Sequence, residues 1–487
     1  MKKRLLFLLF SSILFSCQKQ IEKKADNQEN DYTEAYQIAE VWLKGQIDYE
    51  QIPGITMSVV RENRIDWNIA LGFSDSQTPL TQASLFSICS ISKLFTSIAI
   101  MQLIEQGKIQ LNDPVSKHLP YFNLEQQYPK SLPITIANIL SHSSGLPRES
   151  NHSYWSPPEF KFPSKAEVIQ GLSEQKTLYP AETYFQYSNL GLTLLGYLIE
   201  EVSNQSYSDY IQDHVLDPLE MNDTKTFMDK SQYGKELVFG YGSKKRNGKR
   251  DLVPFFKANG INAAAGYSSN TSDLAKFATW QLKLLSGLKT SILNVKTLKQ
   301  MHTTQLNDTL NNVKRGYGFG IYGEKSKRTV GHGGSCPGYR SVLTINPKRK
   351  TAFAVMINAN GTNPMKYANG VSDILDKVTL KKGDNPNNNK DVEGYYNNQP
   401  WSGETYISSW GDDIALLSLP NNNANLTIFK TVNKDIFRRV LKNDSLGESL
   451  HVLRNDKHEV IGYKRHQVIN KKIFNNISSS YISRQNK

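Results

Sequence analysis

Cysteine is scarce. Three residues in 487, Cys17, Cys89 and Cys336, are too few and too widely spaced for a disulfide framework or a zinc site. The nine histidines form no spaced ligand cluster either, so neither a metal nor any other cofactor is expected. Long apolar runs are missing too: the N-terminal run Leu5 to Phe15 is about 11 residues, whereas a bilayer core needs about 20. There is no internal repeat of the solenoid kind. The net charge of +13 comes without a nucleic-acid motif, and its Lys and Arg are scattered, which excludes a nucleic-acid partner. A cationic face toward an anionic envelope surface is the expected use of that charge.

The chain is longer than the roughly 100 to 200 residues of one domain. With 38% hydrophobic and 10% aromatic residues it has ample material for a core. Its start, "MKKRLLFLLFSSILFSCQKQ", has a basic head and a short apolar run, the pattern of a secretory signal peptide. Leu14-Phe15-Ser16-Cys17 resembles a bacterial lipobox, in which Cys17 becomes the lipidated mature N-terminus. The expectation is an exported protein of the bacterial cell envelope, lipid-anchored to the membrane, with residues 18–32 as a flexible tether.

Two β-rich runs flanking Glu62-Asn63 read as a hairpin. Far downstream, "RTVGHGGS", "YRSVLTINP" and "TAFAVMINAN" read as three strands, closed by a helix from Met365 to Val378. Strands at both ends with helical material between them imply an α+β domain over residues 33–380, one antiparallel sheet flanked by helices. Between those ends, "TIANILSHSSGLP" gives a short helix started by Thr135, and "NHSYWSPPEFKFPS" is either a substrate-side lid or a covering loop. Residues 381–391 form a polar linker, residues 392–470 a small all-β barrel or sandwich, and residues 471–487 a polar tail.

"LFSICSISKLFTSIAIMQLIEQGKI" carries the chemistry. Ile91, Leu94, Phe95, Ile98 and Met101 fall on one stripe of a helix with Gly107 as its stop. A lysine there meets neighbours three or four residues back, so Lys93 serves Ser90 or Cys89. A desolvated amine can accept a serine proton, because burial disfavours its ammonium form.

With its surroundings this stretch resembles the serine β-lactamase and penicillin-binding-protein superfamily, in its class C-like branch of esterases, D-amino-acid peptidases and DD-carboxypeptidases. "SISK", "ILSHSSGLP", "FQYSNLGL", "AAAGYSSNTSDLAKF", "GYGFGIY" and "VGHGGSCPGYRS" run in that superfamily's order. The resemblance implies a β-lactamase/transpeptidase-like fold with a helical subdomain. It makes Ser90 the acyl-accepting nucleophile and Lys93 its proton partner. Tyr187 becomes a phenolate-like base, and Asn189 a hydrogen-bond partner of the substrate amide or the lysine. It places His332, Gly333, Gly334 and Ser335 on a substrate-binding strand, with the N–H groups of Ser90 and Ser335 as oxyanion hole. Cys89 is then expected to pack behind the site.

Class C β-lactamases usually carry lysine where this chain has His332, a group able to polarise an ester or amide without demanding an anion. The expected enzyme is an envelope-anchored serine hydrolase of esterase or D-amino-acid peptidase type. Its substrate would be a small ester, an amide or a peptidoglycan-like peptide. A true β-lactamase, with Arg340 supplying the missing cation, and a non-catalytic cell-wall-binding lipoprotein are the alternatives.

Overall fold

A computed structural model describes residues 31–383 and 386–474. The expected signal peptide, Cys17 and nearly all of the tether lie outside the described residues. Helix α1 (Thr33–Glu50) forms because Ala35, Ile38, Ala39, Trp42, Leu43 and Ile47 recur at three- and four-residue spacing and bury one face. It stops where Gln51 turns left-handed. Helices α2 (Ser92–Glu105) and α3 (Asn189–Ser203) pack on each other in the helical subdomain, while α4 (Thr271–Leu285) lies against the sheet.

The expected stripe on α2 needs correcting. Every residue from Ser92 to Leu103 is buried, because α2 runs through the middle of the helical core rather than along its edge. Its polar side chains are satisfied locally: Ser97 Oγ donates to the Lys93 carbonyl and Thr96 Oγ1 to the Ala263 carbonyl, both at 2.7 Å.

The sheet draws on both ends of this domain. Strands β1 (Gly54–Arg61) and β2 (Arg64–Gly72) form the hairpin, with Glu62 and Asn63 both at positive φ in its two-residue turn. The later strands are β3 (Leu306–Asp308), β4 (Val313–Arg315), β5 (Gly320–Tyr322), β6 (Thr329–Cys336), β7 (Tyr339–Asn346) and β8 (Thr351–Ile357). All eight pair in the order β2-β1-β8-β7-β6-β5-β4-β3. Chain-distant β1 and β8 lie antiparallel, with Ile55 opposite Ile357 and Val59 opposite Phe353. Alternation then loads both faces. Phe353, Val355 and Ile357 pack toward α1 and α5 (Pro364–Asp376), while Ala352, Ala354 and Met356 join the helical core. Gly370 of α5 permits that packing, since a Cβ there would stand 2.1 Å from Cη2 of Trp42.

The C-terminal strands close into an eight-stranded barrel running from Gly394 to Ile473. Tyr396, Phe429, Phe437, Leu450 and Tyr463 fill its interior, so it is a packed core. The linker is bound on both sides: Lys382 bridges to Gly411 of the barrel, and Lys381 pairs with Glu34 of α1 at 3.2 Å.

Candidate active site

Ser90 lies in a short 3₁₀ turn, Cys89–Ile91, at the head of α2 rather than inside the helix, and Cys89 is left-handed at φ 54°. That turn swings the Cys89 side chain away from α2 toward β6. There Cys89 and Cys336 form a disulfide with Cα atoms 5.8 Å apart. The expectation that Cys89 merely packs behind the site is thereby corrected: two cysteines 247 residues apart are covalently joined. The same strand crosses the Ser90 segment closely. A Cβ on Gly334 would meet the Ile88 carbonyl oxygen at 2.2 Å, so glycine is required for the approach.

Lys93 is 1% exposed, and three oxygens surround its Nζ. Asn189 Oδ1 and the Ala264 carbonyl each lie 2.7 Å away, and Ser90 Oγ lies at 3.2 Å. The first two can only accept. A neutral amine has two hydrogens for these two acceptors, which leaves its lone pair for the Ser90 hydroxyl. Burial favours that state, holding the Lys93 pKa well below its usual range, with Glu149 opposing and Arg148 and Arg315 assisting. Asn189 reaches this position as the first residue of α3, whose N-terminus is capped by Ser188 Oγ accepting from the Gly191 N–H.

Tyr187 completes the group, lining the same cleft as Ser90. Its ring centroid stands 4.9 Å from Lys93 Nζ, and His142 packs on the ring at 4.5 Å between centroids. Burial pushes its pKa up to about 12, although the Ser90 side chain and the charges of Arg315 and Arg148 pull it down. Burial thus favours the phenol form of Tyr187, whose hydroxyl can take up or hand on a proton, beside a Lys93 amine that burial favours in its neutral form.

His332 projects from β6 beside Tyr187, at 6.0 Å between ring centroids. Its Nδ1 lies 2.7 Å from the Gly333 carbonyl, which only accepts, so Nδ1 carries the proton. Burial and the nearby Arg315 and Lys93 charges hold its pKa well below the ordinary histidine value. Its buried Nε2 is left as a free acceptor. With its proton on Nδ1, a neutral His332 presents Nε2 as an acceptor beside Tyr187.

Ser90, Tyr187, His332, Gly333, Gly334 and Ser335 line a cleft of about 370 Å³. The sequence reading gave no role there to Arg148 and Arg315, which line it together with Arg340. Arg315 is 7% exposed and its Nε has no hydrogen-bond partner, while Arg340 donates to Ser335 Oγ at 2.5 Å. The signal for Arg315 was weak, because "VKRGYGFGIY" looks like an ordinary strand and turn. The aromatic loop after Pro147 is a covering loop: Tyr154, Phe160 and Phe162 are buried, and Trp155 and Phe162 pack on Phe256.

A Ser–Lys pair beneath a tyrosine, an asparagine on the next helix and a glycine-lined strand across the cleft make the kind of arrangement that serine acyl transfer requires, on a β-lactamase-type fold. The chain belongs to the family described as Beta-lactamase, a β-lactamase-fold serine hydrolase family whose sequence model matches residues 41–374. Protein flp of Staphylococcus aureus (strain MW2) is 28% identical over 314 residues, 63% of this chain and 60% of that protein. Beta-lactamase-like protein 2 of Dictyostelium discoideum is 28% identical over 288 residues, 57% of this chain and 51% of that protein. The chain thus spans about 60% of the length of the flp proteins it matches. The octameric penicillin-binding protein homologue from Pyrococcus abyssi superposes with a TM-score of 0.60 at 24% identity, covering 90% of this chain and all of that one. A D-stereospecific amidohydrolase from Streptomyces sp. gives 0.56 at 21% identity, over 71% and 98%.

Proposed function

We propose that this chain is an exported, lipid-anchored serine hydrolase of the D-amino-acid peptidase or DD-carboxypeptidase type, cleaving peptides that end in a free carboxylate. The observation that carries the reading is the set of Arg148, Arg315 and Arg340 in the cleft that holds Ser90. His332 supplies no permanent cation, but the arginines do, and guanidinium is the natural bidentate partner of a carboxylate. A neutral ester leaves those charges unused. Esterase activity therefore ranks below peptidase activity, which narrows the expectation drawn from His332 alone. A true β-lactamase is the second reading, because a β-lactam also brings a carboxylate.

In acylation Ser90 Oγ attacks the substrate carbonyl while its proton passes to the Lys93 lone pair. The N–H groups of Ser90 and Ser335 take the developing oxyanion. The proton then travels from Lys93 through the Tyr187 hydroxyl to the leaving nitrogen, and the C–N bond breaks. Water attacks the acyl-enzyme by the reverse proton route, releasing a carboxylate product and restoring Ser90.

Incubation with a fluorophosphonate is expected to label the peptide containing Ser90, and Ser90→Ala to abolish the label. Full labelling of Ser90→Ala would remove Ser90 as nucleophile, and an unlabelled wild type would favour the non-catalytic reading. Comparing kcat/KM for a D-alanyl peptide, a p-nitrophenyl ester and nitrocefin then ranks the substrates, and a wide lead for nitrocefin would install the β-lactamase reading. Export is supported by the Cys89–Cys336 disulfide, a bond that oxidising compartments maintain. Among the described residues no helix is long and apolar enough to cross a membrane. Attachment is proposed at Cys17 on the lipobox-like Leu14-Phe15-Ser16-Cys17, and Cys17→Ser should release the protein or leave its precursor unprocessed.

A further inference from the structure

Glu149 has no part in the proton route above, yet the structure builds it into the site. Both of its carboxylate oxygens accept from Asn189 Nδ2, at 2.8 and 2.9 Å. Its Oε2 also accepts from the hydroxyl of fully buried Tyr154, and its Oε1 accepts from Arg148 Nε at 3.1 Å. Its own carbonyl accepts from Gln175 Nε2 at 2.9 Å. Held on all these sides, the carboxylate cannot follow a movement of Asn189.

An amide has one end that donates and one that accepts, and its partners decide which way it faces. A carboxylate only accepts, so Asn189 must turn Nδ2 to Glu149 and Oδ1 to Lys93. With Oδ1 and the Ala264 carbonyl each taking one Lys93 hydrogen at 2.7 Å, the amine lone pair is left facing Ser90. We infer that Glu149 is a positioning residue: it fixes the orientation of the Asn189 amide, and through Asn189 aims the Lys93 lone pair at the Ser90 hydroxyl. A neutral amide at position 149 could donate to Asn189 Oδ1 instead. The Asn189 amide would then be free to turn its NH₂ toward Lys93, and the lone pair would be drawn off the serine.

The carboxylate has a second, electrostatic consequence. The charged and titratable groups around Lys93 are Glu149 and Arg148 from the loop after Pro147, Arg315 from β4, and the rings of Tyr187, His142 and His332. Arg148 and Arg315 lower the Lys93 pKa, while Glu149 raises it against the dominant effect of burial. Removing the Glu149 charge therefore lets Lys93 lose its proton at lower pH.

The inference rests on Ser90 and Lys93 as nucleophile and base, so the test reads acylation of Ser90 by a fluorophosphonate, which needs no knowledge of the natural substrate. Glu149→Gln keeps the shape and removes the charge. Its acylation rate is expected to fall between about tenfold and hundredfold, the scale of a misaligned catalytic group. The acid limb of its pH–rate profile should move to lower pH. Glu149→Asp keeps the charge and should recover part of the rate and return the limb toward the wild-type position. Both variants are compared by thermal denaturation, and if Glu149→Gln does not fold, Glu149→Asp and the wild-type profile carry the comparison. A folded Glu149→Gln with the wild-type rate and profile would overturn the inference, as would a Glu149→Asp that recovers neither when it is the variant carrying the comparison. An unlabelled wild type would instead overturn the reading of Ser90 itself.

Discussion

A lysine amine 1% exposed among apolar helices is costly to keep charged, and that cost gives Lys93 both its chemistry and a thermodynamic signature. The unfolded chain holds the Lys93 proton up to its ordinary value of 10.5, whereas the folded chain releases it at lower pH. Between those two values the unfolded state binds more protons, so this residue makes stability rise with pH. Below the folded value both states are protonated, and the native state bears the whole desolvation cost. Comparing wild type with Lys93→Met by urea denaturation should show the difference moving in favour of wild type as pH rises toward 10.5. A difference flat with pH would mark Lys93 as an ordinary solvated lysine. The same variant should slow acylation of Ser90 by roughly 10²- to 10⁴-fold, the range for losing a general base. Ser90 and Lys93 were legible in the sequence because three residues of separation put them in reach along one local turn. Tyr187 and Asn189 were legible through the motif that carries them. Glu149 and Arg315 were not: a single glutamate after Pro147 and an arginine at the end of a short strand acquire meaning only when the fold brings Asn189 and Tyr187 to them.

At the scale of elements the cleft has two walls, the turn at the head of α2 and strand β6, and each donates one proposed oxyanion N–H. Cys89 directly precedes Ser90 and Cys336 directly follows Ser335, so the disulfide joins the residues next to both donors. Sequence spacing hid this pairing because the two cysteines are 247 residues apart. The sheet brings them together, with β6 paired to β7 and the Ser341 hydroxyl of β7 donating to the Ile88 carbonyl at 3.1 Å. Antiparallel strands were readable from alternating apolar residues, whereas which strand lies beside the α2 turn is a tertiary fact. Cys336→Ser is expected to cost about 2 to 4 kcal/mol of stability, as for loss of a long-loop disulfide. It should also lower kcat more than it raises KM, since the two N–H donors would no longer be held in register. Chemical denaturation with steady-state kinetics checks both. Wild type treated with a reductant should reproduce the variant, and an unchanged kcat after complete reduction would show that packing of β6 alone holds the walls.

For the whole molecule the question is whether the C-terminal barrel is a passenger or part of the enzyme's frame. Trp410, Ala415, Leu417 and Leu419 on its strands share one apolar core with Trp42 of α1 and with Val355 and Ile357 of β8. Trp42 is fully buried and donates from Nε1 to the Asn421 carbonyl at 2.7 Å, while the Gly411 N–H donates to Glu34 of α1 at 3.0 Å. Helix α1 therefore serves two bodies at once, one side of its apolar face lying on the sheet and α5 and the other on the barrel wall. A polar linker in the sequence suggests two independent units, but the side chains on either side of it bury each other. The expected consequence is a single cooperative unfolding transition for the wild type, because neither body can open without exposing the shared core. Trp42→Ala leaves a large cavity at that junction and should cost about 3 to 5 kcal/mol. By weakening the junction more than either interior, it should also split the calorimetric endotherm into two, with the barrel, whose own core of Tyr396, Phe429 and Tyr463 is intact, melting apart from the catalytic body. Fluorophosphonate labelling of Ser90 followed through the same temperature range assigns the transitions, since only the one belonging to the catalytic body abolishes labelling. A Trp42→Ala protein that still melts in one step, with labelling lost at that step, would mean that the contacts of the linker and of Glu34 couple the two bodies without the tryptophan.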